Sequence, residues 1–302
     1  VSYFAYDNYP LASDAETEEL HRQAWYHYGQ NNPNAWKNYN TLEDYVAAKV
    51  EQNYPSRDES KYIYKDWEDV LFRKGISQNY EYNISGGGEK GRIYASVAYS
   101  DQQGLTSIEN LQRVSTTING EATLNKFIKL GGNLQYSWTF QEGHQEDHSK
   151  DDPYTIWKVY LNERWPYAYK ETGDLYMERW NPTVSTVNPV PTYDMQINDA
   201  RQNRLLLKGW MEVKFTEWLT AKSTISSDWL YVHDRFGWLY GHPNFTAYGE
   251  PGGYMSDRHR NVNRMVSSTQ LNFDKTWGDH HVSAMAAWEA EEEKYRMTRA
   301  GK

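Results

Sequence analysis

Residues Asp66 to Gly104 read D-W-E-D-V-L-F-R-K-G-I-S-Q-N-Y-E-Y-N-I-S-G-G-G-E-K-G-R-I-Y-A-S-V-A-Y-S-D-Q-Q-G, and the middle of this stretch decides the fold. Tyr80, Tyr82 and Ile84 alternate with Asn79, Glu81, Asn83 and Ser85. Side chains of a strand point to opposite faces in turn, so the alternation predicts a strand with one apolar and one wet face. Gly86, Gly87, Gly88 and Gly91 follow and predict a tight turn in which φ > 0 costs nothing. Ile93, Ala95, Val97 and Tyr99 then alternate with Tyr94, Ser96, Ala98 and Ser100. Two strands joined by a turn is the plain expectation.

The pattern repeats further along the chain. Apolar positions alternate with polar ones from Val114 to Leu124, Ile128 to Phe140, Leu205 to Phe215, Leu219 to Tyr231, around Leu271, and from Val282 to Trp288. That predicts about eight or nine strands, most of them long enough to cross a bilayer when tilted. Short turns are expected near Gly86–Gly91, Asn125–Phe127, Thr216–Trp218 and Thr276–His280. Long connections are expected near Asp101–Leu111, Gln141–Asn203 and Phe236–Asn261. Short and long alternate strictly, as in an up-and-down barrel with one short-turn rim and one long-loop rim. A soluble sandwich, with its Greek-key crossings, has no reason to sort loops by end. Trp138 and Phe140 close one strand and Trp229 and Tyr231 another, while Phe127, Trp218 and Trp277 lie at short turns. Rings at strand ends fit interfacial girdles.

The fold class expected is therefore all-β: part of an antiparallel up-and-down transmembrane barrel with long extracellular loops carrying short helices. Residues 10–66 form one such loop. Ser13 and Glu16 make a capping box before a helix through about Tyr28, with Leu20, Ala24 and His27 on one face. A second helix begins at Thr41 and carries Leu42, Tyr45, Val46, Lys49 and Val50. Before this loop, Val1 to Tyr6 alternates like a strand. Residues 141–203 form the second long loop, rich in aromatics.

Composition agrees. Of 302 residues 16% are aromatic, with 26 Tyr and 13 Trp, while Leu, Ile and Val are scarce. A soluble core of branched aliphatics is poorly supplied. No apolar run is long enough for a transmembrane helix, which says nothing against barrel strands. The net charge of −9 without a basic block argues against nucleic acid as a partner. There is no cysteine, hence no disulfide framework. The chain starts at Val1 without a signal-peptide pattern, and is expected to be an interior piece of something longer.

Asp66, Trp67, Phe72, Gly75, Gln78 and Asn79, then Ser85, Gly86 and Gly87, then Asp101, Gln102 and Gly104 form one ordered motif. It closely resembles the early barrel segment of SusC/RagA-like TonB-dependent outer-membrane transporters of Bacteroidetes. The run L-N-F-D-K-T-W-G-D-H-H-V-S-A-M-A-A-W-E from Leu271 to Glu289 agrees with it. The resemblance implies a barrel of about 22 strands, of which this chain holds roughly a third. It places the plug and the remaining strands outside the chain. It also implies TonB-dependent import of oligosaccharides or peptides, with a SusD-like surface lipoprotein as lid and the TonB-ExbB-ExbD complex as energy source. Outer-membrane lipid would surround the wall. No cofactor and no catalytic residue are implied.

His144 and His148 have the i, i+4 spacing of zinc ligands, but Gly143 and a polar loop context favour a solvated loop, so no metal is expected. Trp157, Trp165, Tyr167, Tyr169, Tyr176 and Trp180 lie in the second long loop among Glu163, Arg164, Glu171, Asp174, Glu178 and Arg179. Exposed rings beside hydrogen-bonding groups suit a sugar or an extended peptide, while for any single ring the packing of the loop against its neighbours or a partner is the favoured expectation. Glu163 and Asp174 offer two carboxylates as a glycosidase would, with nothing to fix their separation. The alternative from another class is a soluble all-β carbohydrate-binding or glycan-degrading module. In that case Val114, Ile118, Leu134 and Val282 would form a dry core instead of touching lipid.

Overall fold

Alternation of apolar and polar residues produces one long antiparallel sheet. The computed structural model describes residues 2–4, 14–53, 62–63, 72–106, 108–143, 169–170, 194–242 and 252–301. Its strands are β1 (Ser2–Phe4), β2 (Tyr62–Ile63), β3 (Gly75–Gly88), β4 (Gly91–Gln103), β5 (Asn110–Thr123), β6 (Ile128–Glu142), β7 (Tyr169–Lys170), β8 (Gln196–Thr216), β9 (Leu219–Trp238), β10 (Tyr254–Trp277) and β11 (His280–Gly301). Nine of them pair in the order β1-β3-β4-β5-β6-β8-β9-β10-β11, each beside its predecessor in this series. This is the expected up-and-down meander.

The register keeps every apolar set on one face. Ala95, Ile118, Leu134, Leu207, Ser227 and Met265 succeed one another directly across the strands. A one-residue slip at any pair would turn that strand's apolar set to the wet side, so the pattern fixes the register. The apolar face is open: Ile118 is 40% and Val282 46% exposed. Among the described residues no second sheet covers it, which is what a barrel wall has and a sandwich core lacks.

The glycine run behaves differently from expectation. Gly86, Gly87 and Gly88 stay in β3, and the turn falls on Glu89 and Lys90. Positive φ is confined, among the described residues, to Gly143, Gly241 and Gly278. Gly87 serves close packing instead, because a Cβ there would stand 2.9 Å from Cβ of Arg92. The positive-φ turn residue sits at the other end of the sheet, where Gly278 (φ 55°) lets β10 reverse into β11.

The strands also run further toward the long loops than alternation suggests. β8 begins at Gln196, β9 continues to Trp238, β10 starts at Tyr254 and β11 reaches Gly301. Polar and charged groups stand on both faces there among the clustered rings of Phe236, Trp238 and Tyr254, so no clean period of two in hydrophobicity marks the strand while the backbone ladder continues.

Helices α1 (Asp14–Asn31) and α2 (Leu42–Asn53) form a hairpin joined through a 3-10 turn at Pro33–Trp36. Thr41 Oγ1 accepts the Asp44 amide at 3.0 Å, capping α2. Tyr45, Val46 and Val50 are buried (2%, 3% and 5% exposed) against Trp25, Tyr26, Ala35, Trp36 and Leu42. Burial pushes the Tyr45 phenol above its ordinary range, with Tyr28 and Tyr39 adding to it. The face expected for α1 is wrong: Leu20, Ala24 and His27 are exposed. The aromatic Trp25 sets the phase, meeting Tyr45 edge-on at 6.2 Å between ring centroids. One large ring outweighs several small apolar residues in burial.

Candidate functional site

The polar face of the sheet is the surface on which chemistry can act, and alternation builds it. On β8 to β11 a charged row crosses four strands. Arg204 holds Asp228 in a two-pronged pair (2.9 and 2.6 Å), and Arg264 holds Glu291 at 2.6 and 2.8 Å. Arg264 and Asp228 are direct cross-strand partners, so the row alternates in sign from Arg204 to Glu291. Nearer the long-loop end, Arg258 meets Asp234 at 3.1 Å. At the short-turn end Arg92 meets Glu121 at 2.8 Å. These pairs leave a face of fixed donors and acceptors with side chains half in solvent.

A groove of about 720 Å³ opens on this face, lined by Arg92, Tyr94, Glu121, Asn133, Lys208 and Trp210 among others. Asn133 donates to Asn119 across the strands. Trp210 covers Gly131 and receives the Lys222 ammonium 4.7 Å from its ring centroid. The groove thus offers an aromatic plane, two amides and charges of both signs, a hydrogen-bonding surface rather than a nucleophile with a base.

Of the rings expected to close strands, Trp138 and Phe140 lie near the end of β6, whereas Trp229 and Tyr231 fall midway along β9, which runs on to Trp238. Trp138 stacks on Phe140 at 6.4 Å and Trp229 on Tyr231 at 6.3 Å toward the long loops. Trp218, Phe273 and Trp277 cluster at the short turns, with Lys275 over both indoles at 4.6 and 5.1 Å.

Of the loop rings, Trp157, Trp165, Tyr167, Tyr176 and Trp180 lie outside the described residues, as do His144, His148, Glu163 and Asp174. The backbone of Tyr169 is described: it pairs with Ile63 in a two-stranded ladder, Tyr62 facing Lys170. The two long loops are therefore joined to each other.

The motif residues that the structure describes lie in strand pairs and at the connection between β4 and β5. Asp66 and Trp67 lie outside the described residues. Phe72 bridges Thr106. Gly75 admits no side chain, because a Cβ would stand 2.5 Å from the Gln103 carbonyl oxygen. Gly104 is equally tight, with Cβ of Glu109 at 2.5 Å. Gln78 pairs with Asp101, Asn79 with Ser100 and Gln102 with Ser77, while Ser85, Gly86 and Gly87 face Tyr94, Ile93 and Arg92. Arg73 was overlooked in the sequence. Its guanidinium donates to the carbonyls of Gly104 (3.2 Å) and Glu109 (3.0 Å) and to Asn110 Oδ1 (2.8 Å), tying down the loop between β4 and β5. Its place between Phe72 and Gly75 in the motif was the available signal.

Known proteins agree with this architecture. No family model matches the chain. TonB-dependent receptor P39 of Formosa agariphila is 24% identical over 224 residues, covering 72% of this chain and 20% of the relative. TonB-dependent receptor P3 of the same organism is 20% identical over 230 residues, covering 74% and 22%. The chain is similar to part of a SusC/RagA-like TonB-dependent transporter. In three dimensions the RagAB peptide transporter superposes with a TM-score of 0.71 at 17% identity, over 96% of this chain and 33% of that one. The chain thus spans about a fifth of the length of the curated relatives it matches and a third of the RagAB chain. At that identity the superposition speaks for the fold, a stretch of SusC/RagA-like barrel wall.

Proposed function

We propose that this chain is wall of an outer-membrane barrel through which a TonB-dependent transporter imports peptides or oligosaccharides, and that it carries no catalysis of its own. The observation that carries the proposal is the two-faced meander: one open apolar face bounded by stacked rings, and one face of paired charges and amides. Water-filled barrels need that division, lipid outside and polar lumen inside. The polar face, including the groove at Trp210, borders the route of the solute. The long loops, joined at Ile63 and Tyr169, form the outer rim, where a SusD-like lipoprotein docks and where the rings of residues 141–203 meet lid or solute. The TonB-ExbB-ExbD complex acts through parts of the protein beyond this stretch. The structural relative RagAB is a peptide transporter, which makes peptides the first solute to test.

The test is made in the native producer. The gene is deleted, and uptake of labelled oligopeptides and of labelled oligosaccharides is followed with and without a proton uncoupler. Loss of energy-dependent uptake of one class, with the protein found in the outer-membrane fraction as a heat-shifting band, supports the proposal. A soluble protein without heat shift, or unchanged uptake of both classes, overturns it.

A further inference from the structure

Beyond the aromatic girdle, on the same face as the apolar belt, β9 and β10 bring together three metal-ligating side chains. His233 and His259 are direct cross-strand partners. Asp257 lies two residues before His259 and so shares its face. We propose that His233, Asp257 and His259 form a binding site for a first-row divalent transition ion, with Zn²⁺ as the probe.

The geometry is convergent. His233 Nε2 lies 3.0 and 3.1 Å from the two Asp257 oxygens, and His259 Nε2 lies 2.7 Å from Asp257 Oδ1. One ligand atom from each residue falls within 4.8 Å of the others. Ligands on a tetrahedral ion with bonds of about 2.0–2.1 Å stand roughly 3.3 Å apart. The edge from His233 to Asp257 therefore opens by about 0.3 Å and that from His259 by about 0.6 Å to take the ion. The imidazoles stack at 4.1 Å between centroids and 13° between planes, so one ring tilts away from the other for both in-plane Nε2 lone pairs to reach a single ion beside Asp257.

The surroundings suit an ion. Tyr231 Oη lies 2.8 Å from His259 Nδ1. With Nε2 on a metal, Nδ1–H donates to that hydroxyl, which fixes tautomer and ring orientation as outer-shell partners of metal-bound histidines do. Arg235, the cross-strand partner of Asp257, gives its guanidinium hydrogen bonds to Asp199 at 3.0 and 2.5 Å, so the hydrogen bonds of the Asp257 carboxylate go to the imidazoles while Arg235 still attracts it through space. Arg201, opposite His233, lies against the Phe140 ring at 5.5 Å. The His259 and Asp257 side chains are 43% and 36% exposed, which gives access to an ion and room for water as the fourth ligand. Two imidazoles and one carboxylate match Zn²⁺, Ni²⁺ or Cu²⁺, whereas Ca²⁺ and Mg²⁺ take oxygen ligands.

The test uses the full-length protein in detergent, stripped with chelator and dialysed against low micromolar Zn²⁺, with bound metal measured by mass spectrometry. His233→Gln and His259→Gln are compared with the parent, and gel heat-shift confirms that each barrel is folded. Two such variants keep the comparison available if one fails to fold. The parent is expected to hold one zinc equivalent more than either variant. Tyr231→Phe should keep the site but weaken it about 10–100-fold. Equal zinc in parent and folded variants, or none in the parent, means a hydrogen-bonded cluster only and overturns the proposal. Because bound metal is read directly, its failure is independent of the transport proposal.

Discussion

Trp210 covers Gly131: a Cβ built on the glycine would stand 2.6 Å from Cζ2 of the indole. The two residues are direct cross-strand partners on β8 and β6. A strand glycine with an aromatic ring laid across it from the next strand recovers contact area that glycine alone forfeits. Here the arrangement also shapes the wall of the polar groove, where the Lys222 ammonium lies over the same ring at 4.7 Å. Gly131→Ala should cost about 1–3 kcal/mol by overpacking. Adding Trp210→Ala should return part of that loss, with a coupling of about 0.5–3 kcal/mol. Denaturant unfolding of the purified protein measures both, and strict additivity would mean the ring does not rest there.

The assignment of faces is tested by neighbours. Ile225 lies on the apolar face and Thr224, opposite Trp210 and Ser268, on the polar one. Ile225→Arg places a charge toward lipid near mid-strand and should cost about 2–4 kcal/mol. Thr224→Arg should be tolerated, its guanidinium meeting water and the Trp210 ring. The amount of heat-shifting protein in outer membranes should fall sharply for the first and little for the second. The reverse order would invert the wall.

Arg73 predicts a local effect. Its three acceptors lie on both sides of the loop between β4 and β5, and hydrogen bonds to a charged group contribute about 1.5–3 kcal/mol. Arg73→Ala should speed hydrogen exchange at the Gly104 and Glu109 amides, which are bonded to Glu109 and Thr106 carbonyls, without unfolding the sheet. Arg73→Lys should restore little, because a single ammonium does not reproduce the fork.

The junction of the two long loops offers a cross-link. Ile63 and Tyr169 are paired across the ladder, and this stretch contains no cysteine. Ile63→Cys with Tyr169→Cys should form a disulfide under mild oxidation. After a protease cut between the positions, the pieces should then stay joined until reduced. If the loops separate during import, oxidation should slow uptake and reduction restore it. No cross-link under oxidation would mean the loops are not joined.

The meander was legible because its signal is local. Alternation at Tyr80, Tyr82 and Ile84, or at Leu205 and Leu207, survives any number of intervening loop residues, and the sorting of turns by length follows from it. Polar strand ends were illegible for the same reason. From Gln196 to Asp199 and from Tyr254 to Arg260 both faces carry polar groups, so no hydrophobic period marks the strand. The helix phase at Trp25 failed because counting apolar positions ignores the size of one ring.

By itself the sequence determined the class of fold, the order of strands, the division into an apolar and a polar face, and the resemblance to SusC/RagA-like barrels. Each of these depends on residues near one another along the chain, or on their order. Only the tertiary structure decided which residues meet across strands. His233 and His259 become neighbours of Asp257, Trp210 comes to lie on Gly131, and Arg204 to Glu291 become one charged row, through register alone. Register is a collective property: it is set by all the apolar pairs of a strand at once, and no single residue announces its partner.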